Sequence, residues 1–228
     1  MKTVRAAKTI RYLYTVHALI GIALSGWFLY RGDERRFWLA LLALLCLAVP
    51  RVMAGVFRVD LPPALEGLAV VFLMLTGYLG EVESFYERIP AWDNLLHLTS
   101  GIMFCAFGCG LLGRGAGERE ERPSRARRLF GVSFALAAGV IWEFIEYTCD
   151  KTFGTTMQKP TVRPGLYDTG LIDTMVDLAM GFVGALLFTI YVYRFWALTR
   201  GAPERLIPTA KASPDHSDEG ALLSESTK

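Results

Sequence analysis

The sequence predicts an all-α, polytopic transmembrane helical bundle of about six spans, with both termini cytoplasmic. Three observations predict it. Apolar side chains make up 53% of the 228 residues. They are gathered into runs that meet the length a bilayer demands, since a rise of about 1.5 Å per residue needs about 20 residues to cross roughly 30 Å of hydrocarbon. Lys and Arg are shared unevenly between alternate connecting segments, the pattern that sets orientation in a membrane.

The first span covers about 12–30, after the basic start Lys2, Arg5, Lys8 and Arg11, and ends at the charged turn Arg31 to Arg36. Such a start imitates a secretory signal, but the run is long and another follows at once, so the first helix is expected to stay. The second span covers about 37–57, with Pro50 and Arg51 near its far end. The third, about 62–80, opens at Pro62-Pro63, positions that need no intrahelical donor. An amphipathic connection from Glu81 to Trp92 leads to the fourth span, about 93–113, which is followed by the fifth, about 129–147, and the sixth, about 171–198. A transmembrane domain of 1–198 therefore precedes a segment of 199–228 in which Pro, Ser, Asp, Glu and Lys dominate, read as a disordered cytoplasmic tail. With the N-terminus inside, cytoplasmic segments hold 17 of the 24 Lys and Arg residues and the outer segments seven.

Composition excludes some functions. A formal net charge of +2, without aromatic platforms among the arginines, predicts no nucleic-acid partner. Cys46, Cys105, Cys109 and Cys149 show neither paired zinc-site spacing nor the density of a disulfide scaffold.

Six ionisable residues of the last three spans fall in helical register. Asp93 and His97 are four apart, Glu143 and Glu146 three apart, and Asp173 and Asp177 four apart, so each pair shares a helix face. The fourth and sixth spans enter from the outer side while the fifth climbs toward it. All three pairs are thus expected at one depth near the outer face, with Glu81 and Asp150 as rim candidates. Insertion scales charge about 2.5–3.5 kcal/mol for an ionised residue at the bilayer centre, so pairing, water or a cation must offset the layer. A helix cap or first-turn dipole accounts for Asp93 or Asp173 singly. It does not account for Glu143 and Glu146, which on these boundaries close their helix. His17 reads as a hydrogen-bonded structural histidine, Glu66 as a first-turn dipole partner, and Gly101, Gly108, Gly181 and Gly184 as close-packing positions.

The run Leu79-Gly80-Glu81, Phe85-Tyr86-Glu87-Arg88, Trp92-Asp93-Asn94-Leu95-Leu96-His97 and Ser100-Gly101 resembles the signature of the YjdF-like family of uncharacterised bacterial inner-membrane proteins. The resemblance continues through Trp142 to Tyr147, Phe153-Gly154, Gln158, Asp173-Thr174-Met175, Asp177-Leu178 and Gly184-Ala185, covering about Leu61 to Tyr193. It implies a multi-span protein of the bacterial plasma (inner) membrane and no assigned activity.

Function therefore rests on the acidic layer. The leading reading is a divalent-metal site with ligands from Asp93, His97, Glu143, Glu146, Asp173 and Asp177, similar in kind to dimetal carboxylate bundles. An oxygen-rich set with one imidazole admits manganese, iron, magnesium or zinc and disfavours copper(I). Such a metal makes a membrane hydrolase acting on a lipid-like or small-molecule substrate conceivable, with the loop from Thr148 to Gly170 as its lid. Cation or proton binding for transport is the first alternative, and a ligand-free polar network fastening the last three helices is the second. The bilayer is the one partner the sequence requires; it leaves the oligomeric state open.

Overall fold

Gly32 and Asp33 make the first reversal of the chain. The computed structural model describes residues 2–59, 61–112, 125–159 and 169–192, and every regular element among them is helical. Helix α1 (Lys2–Arg31) ends at Gly32, whose φ of +69° is the left-handed conformation that terminates helices. Asp33 then caps α2 (Glu34–Cys46) by accepting from the Arg36 amide at 3.1 Å. The second span does not run straight through. At Leu47 and Ala48 it breaks into α3 (Val49–Val56), because Pro50 has no N–H to return to the Cys46 carbonyl.

Helix α4 (Pro63–Met74) starts at the proline pair and passes into a π-helical stretch, Leu75–Val82. A short α5 (Phe85–Arg88) links it to α6 (Trp92–Leu112), followed by α7 (Arg125–Phe153) and α8 (Thr169–Leu187), the last continuing as π-helix over Phe188–Val192. Six stretches are long and apolar enough to cross a membrane: Ala6–Arg31, Glu34–Val56, Pro63–Val82, Trp92–Leu112, Arg125–Phe153 and Gly170–Tyr191. The end of the sixth span as read from the sequence, the 199–228 tail and part of the proposed lid loop lie outside the described residues.

The C-terminal boundary of α7 bears on its two glutamates. Helix α7 runs to Phe153 and stops where Gly154 takes φ +66°. Glu143 and Glu146 are therefore interior to it, beyond reach of the end dipole, which fades within the last turn. Burial, not the dipole, is what makes them costly.

The helices pack as two groups, α1 with α2 and α4, and α6 with α7 and α8. Phe28, Ala40, Ala43, Tyr78 and Val82 form the core of the first, and Cys105, Ala106, Cys109, Ala135, Ala185 and Phe188 that of the second. His17 is fully buried, with Nε2 3.3 Å from the Ala43 carbonyl oxygen and its ring edge-on to Tyr78 at 5.0 Å between centroids. Glu66, in the first turn of α4, meets Arg51 Nε at 3.4 Å, and that guanidinium lies over the Tyr14 ring. Large apolar side chains such as Leu19, Trp38, Leu45, Ile141 and Phe144 stay exposed, the surface a bilayer solvates and water does not.

Candidate functional site

Helices α6 and α8 approach closely because glycine faces backbone between them. A Cβ on Gly101 would collide with the Gly181 carbonyl oxygen, and one on Gly184 with that of Leu98. This approach brings the start of α6 against the start of α8. His97 Nε2 lies 3.4 Å from Asp93 Oδ1 and 3.7 Å from Asp177 Oδ2. One donor atom from each of Asp93, His97 and Asp177 lies within 4.8 Å of the others. Asp177 is 2% exposed, and neither of its carboxylate oxygens has a hydrogen-bond partner among the described residues.

Helix α7 turns its acids inward while Ile141, Phe144 and Ile145 face out. Glu143 Oε2 accepts from the Thr174 hydroxyl at 2.8 Å, and Glu146 Oε1 accepts from Trp142 Nε1 at 2.5 Å. Both glutamates are buried, whereas His97 and Asp173 are half-buried. The tight group is thus Asp93, His97 and Asp177; Glu143 joins the layer through Thr174 and Asp173 through a cation.

That cation, Lys159, went unnoticed in the sequence. Its Nζ donates to Asp93 Oδ2 and lies 3.4 Å from Asp173 Oδ1. Burial pulls the ammonium below the ordinary lysine value, but the hydrogen bond and charge of Asp93, with the charges of Asp173 and Asp177, outweigh this and leave it raised. Asp150 holds the loop that carries Lys159. Its Oδ1 accepts from the Thr155 hydroxyl at 2.5 Å and the Met157 amide at 2.8 Å, and its Oδ2 from the Gln158 amide at 3.0 Å. Gln158 Nε2 then donates to Thr174 Oγ1 at 3.0 Å. Asp150 therefore acts on the layer through the loop.

The family described as predicted membrane proteins (DUF2238) matches residues 13–197. The chain belongs to that family. An uncharacterised protein of Thermotoga maritima is 27% identical over 147 residues, covering 64% of this chain and 70% of that protein. No solved structure matches. The DUF2238 match agrees with the resemblance read from the motifs, and its range takes in Glu81, the whole acidic layer and Lys159.

Tyr86, on α5 of this DUF2238 protein, is the second residue the sequence did not single out for the site. Its ring packs against Gly80, where a Cβ would collide with it. Burial raises its phenol above the ordinary tyrosine value, and so do the charges of Glu81, Asp93, Glu146 and Asp177. The hydroxyl therefore keeps its proton beside the acids. Glu81, half-buried at the end of the π-helical stretch, lies on the same side.

Among the described residues five carboxylates, Asp93, Glu143, Glu146, Asp173 and Asp177, meet two basic groups, His97 and Lys159. Buried charge left without compensation is costly, so protons or a cation must complete the balance. Thr99 and Ser100 donate to their own helix backbone, and Thr174 donates to Glu143.

Proposed function

We propose that this membrane protein binds a divalent cation through Asp93, His97 and Asp177, with Glu143, Glu146 and Asp173 completing its acidic surroundings. The observation that carries the reading is Asp177, a deeply buried carboxylate whose two oxygens lack hydrogen-bond donors while it faces an imidazole and a second aspartate. Two carboxylates and one imidazole suit manganese, iron, magnesium or zinc. A bound metal of this kind supplies activated water. Glu143 and Glu146, the other buried carboxylates of the layer, would be the groups to take a proton from it, and hydrolysis of a lipid-like or small-molecule substrate is the reaction class that this chemistry would serve.

In this reading the protein lies in the bacterial plasma membrane with both ends in the cytoplasm, as its Lys and Arg distribution favours. The acidic layer then lies near the outer face, and the 199–228 tail is cytoplasmic.

One observation favours a ligand-free polar network instead. Lys159 joins its loop to α6 and α8, and Thr174 joins α8 to α7, so the layer already fastens three helices. Elemental analysis of detergent-purified protein separates the two. Stoichiometric metal in the wild type, lost in Asp177→Asn and His97→Ala that still fold and weakened in Glu146→Gln, is the expected result. Metal-free wild type, with the variants merely less stable, would leave the network.

A further inference from the structure

Among the lysines and arginines of the described residues, Lys159 alone contacts the acids of α6 and α8. Nζ bonds one oxygen of Asp93, the same carboxylate whose other oxygen faces His97, and it approaches Asp173 one turn before Asp177. A divalent cation seated between Asp93, His97 and Asp177 would draw on the Asp93 charge that now holds the ammonium. A divalent cation there and the ammonium, both drawn to Asp93, would repel each other, an effect weakened by the partial exposure of the lysine to water.

The lysine sits on the segment that follows α7, not on a membrane-spanning helix. It is carried by the segment after Gly154, anchored through Asp150 and Gln158, and its side chain is 37% exposed toward solvent. It adopts φ +42°, a left-handed conformation that a non-glycine residue holds only when its surroundings impose it. Among the described residues Asp177 has no such counter-ion within hydrogen-bond distance.

We infer that Lys159 is a tethered counter-cation that occupies the acidic site and is displaced from Asp93 when an external divalent cation binds. The inference rests on the cation-site reading above and adds to it how the site is regulated: the loop ammonium competes with the incoming ion and sets its affinity. Lys159 is therefore not a ligand. Its removal tightens binding, whereas removal of a ligand abolishes it.

Manganese(II) is the probe, added to the full chain in detergent at neutral pH. Two readouts are taken: Mn2+ affinity by calorimetry for wild type, Lys159→Met and Asp177→Asn, and acylation of Lys159 in the wild type by a water-soluble amine reagent, followed by mass spectrometry. The expected results are Mn2+ binding about fivefold tighter in K159M than in wild type, no binding in D177N, and faster acylation of Lys159 once Mn2+ is present. Mn2+ binding that is lost in D177N but unchanged or weaker in K159M, with acylation unaffected, overturns the displacement alone and leaves the cation site standing. Wild type that binds no Mn2+ overturns both. The acylation measurement needs no variant, so a K159M protein that fails to fold still leaves the inference open to refutation.

Discussion

The Thr174 hydroxyl donates to Glu143 Oε2 at 2.8 Å, joining α8 to α7 within the acidic layer. Among the described residues this is the hydrogen bond Glu143 makes, because its other oxygen is buried without a partner. A carboxylate in that position depends on one neighbour. Thr174→Val keeps the shape and removes the donor, so it leaves Glu143 unbonded and costs about 1–3 kcal/mol. Thr174→Ser restores most of that loss. Thermal unfolding in detergent checks both, and equal melting temperatures for T174V and wild type would contradict the assignment.

Helix α6 meets α8 backbone to backbone, and Gly181 and Gly184 of α8 differ sharply in what they tolerate. A Cβ at Gly184 would lie 2.9 Å from the Leu98 carbonyl carbon and closer still to its oxygen, neither of which can swing aside. At Gly181 the nearest neighbour would be the His97 carbonyl oxygen at 3.7 Å, ordinary contact. Gly184→Ala should therefore destabilise by about 1–3 kcal/mol, and Gly181→Ala should be close to neutral. Unfolding of the two variants side by side tests the contrast.

How much of this could be read from residue order depends on what fixes each part. Asp93 with His97, and Asp173 with Asp177, were legible because a four-residue interval on a helix determines a shared face whatever the surrounding fold. The six spans were legible for the same reason, since apolar length is a local property. The break before Pro50 was foreshadowed by the proline itself. Lys159 was not legible. It follows Phe153 in a segment without periodicity, and its placement comes from three hydrogen bonds to Asp150, a residue that spacing alone suggested as a rim ligand. Tyr86 lies in a four-residue helix, and only the third dimension reveals that Gly80 leaves room for its ring. The dipole argument for Glu143 and Glu146 does not hold, because the stop at Gly154 comes later than apolar content suggested.

Asp150 organises the loop, so its loss should be felt at Lys159. In Asp150→Ala the Met157 and Gln158 amides and the Thr155 hydroxyl lose their acceptor. Acylation of Lys159 by a water-soluble amine reagent should then be faster without any metal, while stability falls by only about 1–2 kcal/mol, since these groups can turn to water. An unchanged rate would mean that the loop is held by other contacts.

The Lys159–Asp93 pair also carries a pH signature on the alkaline side. The ammonium's pKa is raised above its ordinary value of 10.5 in the folded protein, so the folded state holds that proton more tightly than the unfolded chain. The stability this contributes is fully present below 10.5 and is lost as pH rises through the raised folded value. A part-exposed pair is worth at most about 1 kcal/mol, which makes a difference measurement necessary. Metal-free wild type and Lys159→Met, melted in parallel in detergent from pH 7 upward, should differ by a constant amount up to about pH 10 and converge above it. A gap that closes already near neutral pH would mean that the stability difference comes from a group other than the lysine ammonium.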